Sequence, residues 1–269
     1  MEQERLKIGR IPFANLFPIF HELDRGHRSP AYEFVDGVPS LVNRLLRRGE
    51  IDISPSSSVE YLRQEDLYGI VEGHSISSFG PIGSILLFSL LPIEKLHGQT
   101  VLTSSQSETS VALLEIVLRK FYGMECLLTS SHQPLSEGLK DHPAYLLIGD
   151  EALREAQKKP APYRYDLGGI WHERTGLPFV FALWIFRKEA LSRKRGMLER
   201  FRNELDAAKA EALRNLTSIA GASPMIAFMT EEQILSYWQG ISYDFTEVHR
   251  KGLALFRRHA EELGLLAST

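Results

Sequence analysis

The beginning of the chain alternates between strand-like and helix-like segments, and this alternation limits the possible folds more than any other feature. Apolar strands are predicted around Ile8, at residues 32–36 and around Ile53, separated by segments whose apolar residues have helical spacing. Pro39 suits the first turn of the second helix, and Gly49 is placed to end it. The order β-α-β-α-β predicts an α/β fold with a parallel sheet covered by helices.

The first predicted strand runs into a turn and then a helix within IGRIPFANLFPIF, residues 8–20. Gly9 leaves room for a close backbone approach inside this strand. Asn15 stands at the carboxyl end of the strand, where open α/β sheets bind their ligands. Its amide can both donate and accept hydrogen bonds. Asn15 can therefore contact a ligand, or it can serve only as a helix cap or turn residue.

Hydroxyl groups follow two further strands at the points where helices begin. The third strand is expected to end in the run of residues 54–58, SPSSS, and the later strand 99–103 runs into SSQSETSVALL. Capping uses one serine, so a run of three leaves at least one hydroxyl for a ligand. Hydroxyls, helix N–H groups and the positive end of the helix dipole together favour an anion. The candidates at these helix starts, as caps or as ligand contacts, are Ser57, Ser58, Ser107, Thr109 and Ser110.

Two apolar strands, 84–89 and 180–187, each join one α/β set to the next. A chain that leaves one α/β lobe and later returns to it produces two lobes connected by two crossover strands. We therefore predict two lobes. Lobe 1 comprises residues 1–86 and 187–269, and lobe 2 comprises residues 87–186.

In such a two-lobed chain the polar strand ends face one cleft, and clefts between lobes are favoured sites for small molecules. Gly149 and Asp150 follow the apolar strand at 143–148 and open a helix. Asp150 is expected to act as the N-cap of that helix in preference to contacting a ligand. The strand ends that we expect at the cleft are those around Asn15, Ser57, Ser84, Ser107 and Asp150.

Charge and motif content argue against several classes of function. The net charge of −3 provides no broad basic surface for nucleic acid or membrane. The single cysteine, Cys126, excludes an intramolecular disulfide, and MEQERLKIGR lacks the apolar core of a signal peptide, so we expect a cytoplasmic protein. The sequence contains no glycine-rich phosphate motif, no nucleophile elbow and no metal-ligand spacing. The amides, hydroxyls and backbone N–H groups that remain can bind and orient an anion.

Six segments occur in a specific order: IGRIPFANLFPIF, GEIDISPSSSVEYL, ISSFGPIGSILLFS, SSQSETSVALLEIVL, LLIGDEAL and YDLGGIWHERTGLPFVFALW. Together they resemble the chorismate dehydratases of the futalosine route to menaquinone, over about residues 7–187 and more loosely beyond. The resemblance implies a periplasmic-binding-protein-like type II fold of two α/β lobes, used as a cytoplasmic enzyme. It also implies conversion of chorismate to 3-[(1-carboxyvinyl)oxy]benzoate and water without a metal or an organic cofactor.

The resemblance also assigns roles to particular residues. Asn15 falls on the family's catalytically important asparagine, and Ser84, in GPIGS, falls on a serine expected at the substrate. The run from Ser107 to Ser110 matches a helix start expected to hold a substrate carboxylate. Residues 54–56 depart from some members, which carry apolar residues there, so the resemblance assigns no role to Ser56. The candidate substrate-binding residues are Ser57, Ser58, Gly83, Ser107, Thr109, Ser110, Gly149 and Asp150.

Two other functions fit the same pattern. One is a sister enzyme of the pathway, with the same fold, that acts on a cyclised futalosine-derived intermediate; its strand-end motif would differ from IPFANLFP. The other is a non-catalytic protein that binds a small anion. For the dehydratase, the expected partner is one small dicarboxylate, chorismate, with no nucleic acid, membrane or obligate protein partner.

Overall fold

The computed structural model describes residues 5–26, 29–105 and 107–267, which form two sheets covered by helices. The strands are β1 Leu6–Arg10, β2 Tyr32–Asp36, β3 Ile53–Ser57, β4 Tyr68–Ser78, β5 Ile85–Ser89, β6 Thr100–Ser104, β7 Leu127–Ser131, β8 Ala144–Ile148, β9 Tyr163–Asp166 and β10 Phe179–Arg187. The helices are α1 Phe17–Gly26, α2 Pro39–Arg48, α3 Ser58–Arg63, α4 Glu108–Ile116, α5 Leu135–Asp141, α6 Gly149–Ala156, α7 Leu167–Thr175, α8 Lys188–Arg193, α9 Arg195–Arg214, α10 Leu216–Ala220, α11 Glu231–Gln239 and α12 Glu247–Glu262.

Each sheet contains five strands in the described part of the chain, in the orders β2-β1-β3-β10-β4 and β7-β6-β8-β5-β9. Strand β1 pairs in parallel with β2 and β3, as the β-α-β-α-β order predicts. Strand β10 runs antiparallel between β3 and β4, and β5 runs antiparallel between β8 and β9. Both sheets are therefore mixed, with helices on their faces, and the predicted α/β class with two lobes is confirmed.

The sheet pairing places the return crossover earlier in the chain than the predicted division does. Residues 87–186 were expected in the second lobe, but β10 pairs with β3 and β4 and so belongs to the first sheet. At the other crossover, β5 begins at Ile85 and lies in the second sheet. Both strands are largely buried and almost entirely apolar, and an apolar run does not reveal which sheet will contain it.

The third strand ends within the run of residues 54–58, as the sequence predicts, and includes most of its serines. Strand β3 continues to Ser57, and Pro55 lies opposite Trp184 of β10. The hydroxyls of Ser54 and Ser56 lie 2.7 Å apart on one face of the strand and hydrogen-bond each other. Because each hydroxyl satisfies the other, polar side chains that favour a loop are compatible with a buried strand.

Glycines permit two of the close packings in this fold. A Cβ atom at Gly9 would lie 2.7 Å from side-chain atoms of Val42 and Ser54, so the predicted close approach in the first strand is confirmed. At Gly252, α12 crosses the carbonyl group of Pro178, just before β10. Helix α12 packs on both β10 and α4, so this crossing helps the C-terminal segment to join the lobes. No helix in the described part of the chain is long and apolar enough to span a membrane.

We predict that Gly252→Ala destabilises the protein. A Cβ atom there would lie 2.1 Å from the Pro178 carbonyl oxygen, so α12 must move away from β10. The expected loss in the free energy of unfolding, measured by urea denaturation, is about 1–3 kcal/mol. The matched control is Gly196→Ala in α9, where no atom lies within 4 Å of the new Cβ. This control should leave stability unchanged or raise it by up to about 1 kcal/mol, and equal losses in both variants would contradict the packing argument.

Candidate functional site

A cleft opens between the two sheets, with an empty volume of about 610 Å³ where it meets solvent. The parallel strands β1, β3, β6 and β8 all deliver residues to it from their carboxyl ends. None of the described residues that line it carries a charged side chain. Across residues 5–26, 29–105 and 107–267, no three His, Cys, Asp or Glu side chains cluster closely enough to hold a metal ion.

The cleft brings together six of the ten residues that we predicted for the site. They are Asn15, Ser57, Ser84, Ser107, Ser110 and Gly149. The other four, Ser58, Gly83, Thr109 and Asp150, are absent from its lining, and their polar groups bond within the protein. The prediction that strand ends from both halves of the chain meet at one place therefore agrees with the geometry.

Ser58 and Thr109 use their hydroxyls to connect backbone segments. The Ser58 hydroxyl donates to the carbonyl oxygen of Val180 at 2.6 Å, which joins α3 to β10. The Thr109 hydroxyl, on α4, accepts from the backbone N–H of Val59 at 3.0 Å. Thr109 therefore satisfies a free N–H in the first turn of α3, across the cleft from its own lobe. Both residues therefore connect the walls of the cleft and do not line it.

Asp150 does not cap its own helix, so the preferred sequence interpretation was wrong. The N-cap position of α6 is Ile148, and the Asp150 carboxylate instead accepts from the backbone N–H of Ala14 at 2.9 Å. Burial raises the pKa of Asp150, against the opposing effects of the Ala14 N–H and Arg154. The helix begins one residue earlier than the aspartate because Gly149 adopts φ 60° and turns the chain into the helix.

The loop before β5 is held by a carboxylate that the sequence analysis did not identify. Asp166, the N-cap of α7, accepts from the backbone N–H groups of Ile82 at 3.0 Å, Gly83 at 2.6 Å and Gly169 at 3.0 Å. Burial raises the pKa of Asp166, while these N–H groups act in the opposite direction. The predicted substrate-binding residue Gly83 is therefore tied to Asp166, and this contact places the next residue, Ser84, at the cleft.

Two cleft serines have their acceptor roles filled by protein groups. Ser84 accepts from the Tyr237 hydroxyl at 3.0 Å, and Ser57 accepts from the side-chain amide of Asn43 at 2.8 Å. Burial raises the pKa of Tyr237, which keeps its hydroxyl protonated and able to donate. A serine whose oxygen already accepts a hydrogen bond still has its own proton to donate. Ser57 and Ser84 therefore present donors suited to an anion.

Ser107 and Ser110 form a second hydroxyl pair at the start of α4. The Ser107 oxygen accepts from the Ser110 backbone N–H at 3.3 Å, so the predicted capping role of Ser107 is confirmed. The two hydroxyl oxygens lie 3.1 Å apart. One proton can bridge the pair, which leaves the other for a ligand. The helix starts at Ser107 and Gly149 also direct positive dipole ends towards the cleft, where they favour an anion.

Asn15 presents the clearest unmet hydrogen-bonding group in the cleft. Its side-chain oxygen Oδ1 is buried and has no hydrogen-bond partner in the described structure. Its backbone is fixed, because the Tyr243 hydroxyl donates to the Asn15 carbonyl oxygen at 2.7 Å and the Trp238 indole donates to that of Ala14 at 2.9 Å. A buried amide oxygen without a partner is costly in free energy, so a ligand that donates to it is favoured.

Tyr237, Trp238 and Tyr243 support the site, although they are more than 150 residues from their partners in sequence. In the sequence, Tyr237 and Trp238 stand beside Ile234 and Leu235 in a segment with helical spacing and no recognisable motif. An aromatic residue with one polar atom often uses that atom when buried, which was the only local signal. These residues reach their partners because the chain returns to the first sheet through β10. No motif near them in the sequence indicates that return.

We predict that Thr109→Val weakens the contact between the lobes. Valine has nearly the shape of threonine but cannot accept from the Val59 N–H, which then stays buried and unsatisfied. The free energy of unfolding should fall by about 1–3 kcal/mol in urea denaturation. Thr129→Val, at an exposed position of β7, is the matched control and should change stability by less than about 0.5 kcal/mol. An unaffected Thr109→Val variant would show that the lobes do not make this contact in solution.

Two mixed α/β sheets, two crossovers and an uncharged cleft between them define the class of periplasmic-binding-protein-like folds. Solved structures agree with this class. The protein AF1704 from Archaeoglobus fulgidus superposes with a TM-score of 0.78 at 18% identity, covering 98% of this chain and 100% of that one. The periplasmic aliphatic sulphonate binding protein SsuA from Escherichia coli has a TM-score of 0.69 at 12% identity, covering 99% and 95%.

Sequence comparisons identify the family within this class. A family model described as menaquinone biosynthesis matches residues 6–262. A chorismate dehydratase of Thermus thermophilus is 32% identical over 96% of this chain and 95% of its own length. One from Campylobacter jejuni is 28% identical over 65% of this chain and 64% of its own length. The chain belongs to the menaquinone-biosynthesis family that includes the chorismate dehydratases, which confirms the resemblance of its motifs.

Proposed function

We propose that this protein dehydrates chorismate to 3-[(1-carboxyvinyl)oxy]benzoate in the futalosine route to menaquinone. The family and its two chorismate dehydratase relatives support the reaction. The observation that carries the proposal is a cleft of uncharged hydroxyl donors around the unpartnered Asn15 amide oxygen. We also propose a cytoplasmic location, which the single cysteine and the absence of any possible internal disulfide support.

The substrate itself supplies the driving force for this reaction. Chorismate carries two carboxylates, a ring hydroxyl and a ring C–H bond beside it. The C–H bond breaks and leaves its electron pair in the ring, the C–OH bond breaks, and the proton and hydroxide leave as one water. The ring becomes aromatic and no electrons pass to a second reactant. The protein's task is therefore to hold one reactive conformer and to stabilise developing charge.

The geometry suggests a division of work between the serine hydroxyls and the Asn15 amide. The hydroxyls of Ser57, Ser84 and the Ser107–Ser110 pair would bind the carboxylates, supported by the helix starts. Asn15 would hydrogen-bond the departing hydroxyl or the enolpyruvyl carboxylate. Lysine or arginine side chains that bound the dianion would have to be buried in this cleft, which carries a desolvation cost. Hydroxyls and oriented N–H groups avoid that cost.

We infer that a carboxylate of the substrate accepts the ring proton. A neutral amide such as that of Asn15 is not a usable base near pH 7. Among the described residues, the lining contains no histidine or carboxylate, and Asp150 is already bonded to the Ala14 backbone. A substrate carboxylate held beside the ring satisfies the distance that proton transfer requires.

We predict that Asn15→Ala lowers kcat for chorismate by roughly two to three decades. One preorganised hydrogen bond of this kind contributes about 3–4 kcal/mol to the barrier. Product formation should be quantified by liquid chromatography, and circular dichroism should show an unchanged fold. Asn203→Ala, at an exposed position of α9, is the matched control and should retain wild-type turnover. Near-normal turnover in Asn15→Ala would remove Asn15 from the mechanism.

The same assay separates the proposed function from its two rivals. A dehydratase converts chorismate to the aromatic product in the purified wild-type protein. A binding protein would bind chorismate in a titration but would form no product from it. The sister enzyme would leave chorismate untouched and act on the cyclised futalosine-derived intermediate, which should be supplied in a parallel reaction.

A further inference from the structure

The turn that carries Asn15 is fixed at three successive peptide units. The Ala14 N–H donates to Asp150 at 2.9 Å, the Ala14 carbonyl accepts from Trp238 at 2.9 Å, and the Asn15 carbonyl accepts from Tyr243 at 2.7 Å. Trp238 and Tyr243 belong to the segment that follows β10. Asp150 is the contribution from the second lobe, on α6, whereas β1 and the turn belong to the first.

The contact is built by two adjacent residues of α6. Gly149 adopts φ 60°, and a Cβ atom there would lie 3.1 Å from the Phe13 ring, so the missing side chain lets α6 approach the turn. Asp150 then reaches the next N–H along, that of Ala14. The glycine therefore permits the approach between the lobes, and the aspartate turns that approach into a directed hydrogen bond.

Asp150 lies outside the substrate cleft. It lines a second groove, which shares Ile11 and Phe13 with the cleft and includes Arg10 and His21 of the first lobe. A carboxylate in the cleft lining would repel a doubly negative substrate, whereas Asp150 lines the outer groove and is absent from the cleft lining. Asp150 can therefore affect Asn15 only indirectly, through the backbone of the turn.

We propose that Asp150 is a positioning residue that transmits closure of the two lobes to Asn15 by holding the Ala14 N–H. The proposal rests on the dehydratase function proposed above. When the lobes separate, α6 moves away and the turn keeps only its two contacts to the C-terminal segment. When they close, the third contact sets the orientation from which the Asn15 amide meets the substrate.

Three variants test this role. Asp150→Ala removes the acceptor, Asp150→Asn keeps an amide oxygen that can accept from the same N–H, and Glu151→Ala changes an exposed carboxylate on the same helix. In Asp150→Ala we expect kcat for chorismate to fall about 10- to 100-fold while KM changes less than about threefold. Asp150→Asn should keep kcat within about fivefold of wild type, and Glu151→Ala should match wild type.

A spectroscopic signal reports the turn without any need for turnover. Trp238 donates its indole N–H to Ala14, whereas the indole nitrogens of Trp171 and Trp184 have no partner in the described structure. The Trp238 indole resonance, recorded in ¹⁵N-labelled protein and assigned with Trp238→Phe, should shift in Asp150→Ala. It should keep its wild-type position in Asp150→Asn and Glu151→Ala. A general loss of stability would not move this one resonance.

Wild-type kcat in Asp150→Ala, or an unmoved Trp238 resonance in that variant, would overturn the proposal. Equal loss of kcat in Asp150→Asn and Asp150→Ala would also overturn it, because it would show that the charge and not the hydrogen bond matters. If wild-type protein forms no product from chorismate, the dehydratase assignment fails. The Trp238 comparison then still decides whether Asp150 holds the turn.

Discussion

The hydrogen bonds to the backbone of Ala14 and Asn15 are the interaction on which the site depends. They fix the position of the turn after β1. The strand alone does not fix it, because the chain can leave the end of a strand in several directions. Their donors and acceptor come from three distant places, α6, α11 and the segment before α12. As a result, the amide of Asn15 is held at the cleft while its side-chain oxygen remains available.

The described residues that line the cleft also carry no charged side chains. Ser57 and Ser84 each receive a hydrogen bond from a protein group and keep their own proton, while Asp166 holds the loop that leads to Ser84. Burying a lysine or arginine for the same purpose would carry a large desolvation cost before the substrate arrived. Helix starts and hydroxyls provide favourable potential for an anion without that cost.

Much of this site was predictable because strand ends have a local sequence signature. Asn15, Ser57 and Ser107 lie at or after the ends of predicted strands, and parallel strands bring such ends to one edge. Ser84 instead precedes β5, which runs antiparallel and so begins at that same edge. The predicted positions that do not line the cleft share a different feature. Ser58, Thr109 and Asp150 have side chains as polar as their neighbours, but their partners Val180, Val59 and Ala14 are set by how separate elements approach. Local polarity cannot distinguish a ligand-binding group from one that satisfies a distant backbone atom.

The sequence by itself determined the α/β class, the two lobes, the family and the strand ends that supply the cleft, because periodicity and short motifs are properties of contiguous residues. Only the tertiary structure decided that β10 lies between β3 and β4, that Asp166 holds the loop before β5, and that Asp150 bonds to the first lobe. These outcomes depend on contacts between residues far apart in the chain. The free energies of these contacts depend on burial and on relative geometry, and both exist only once the lobes have packed.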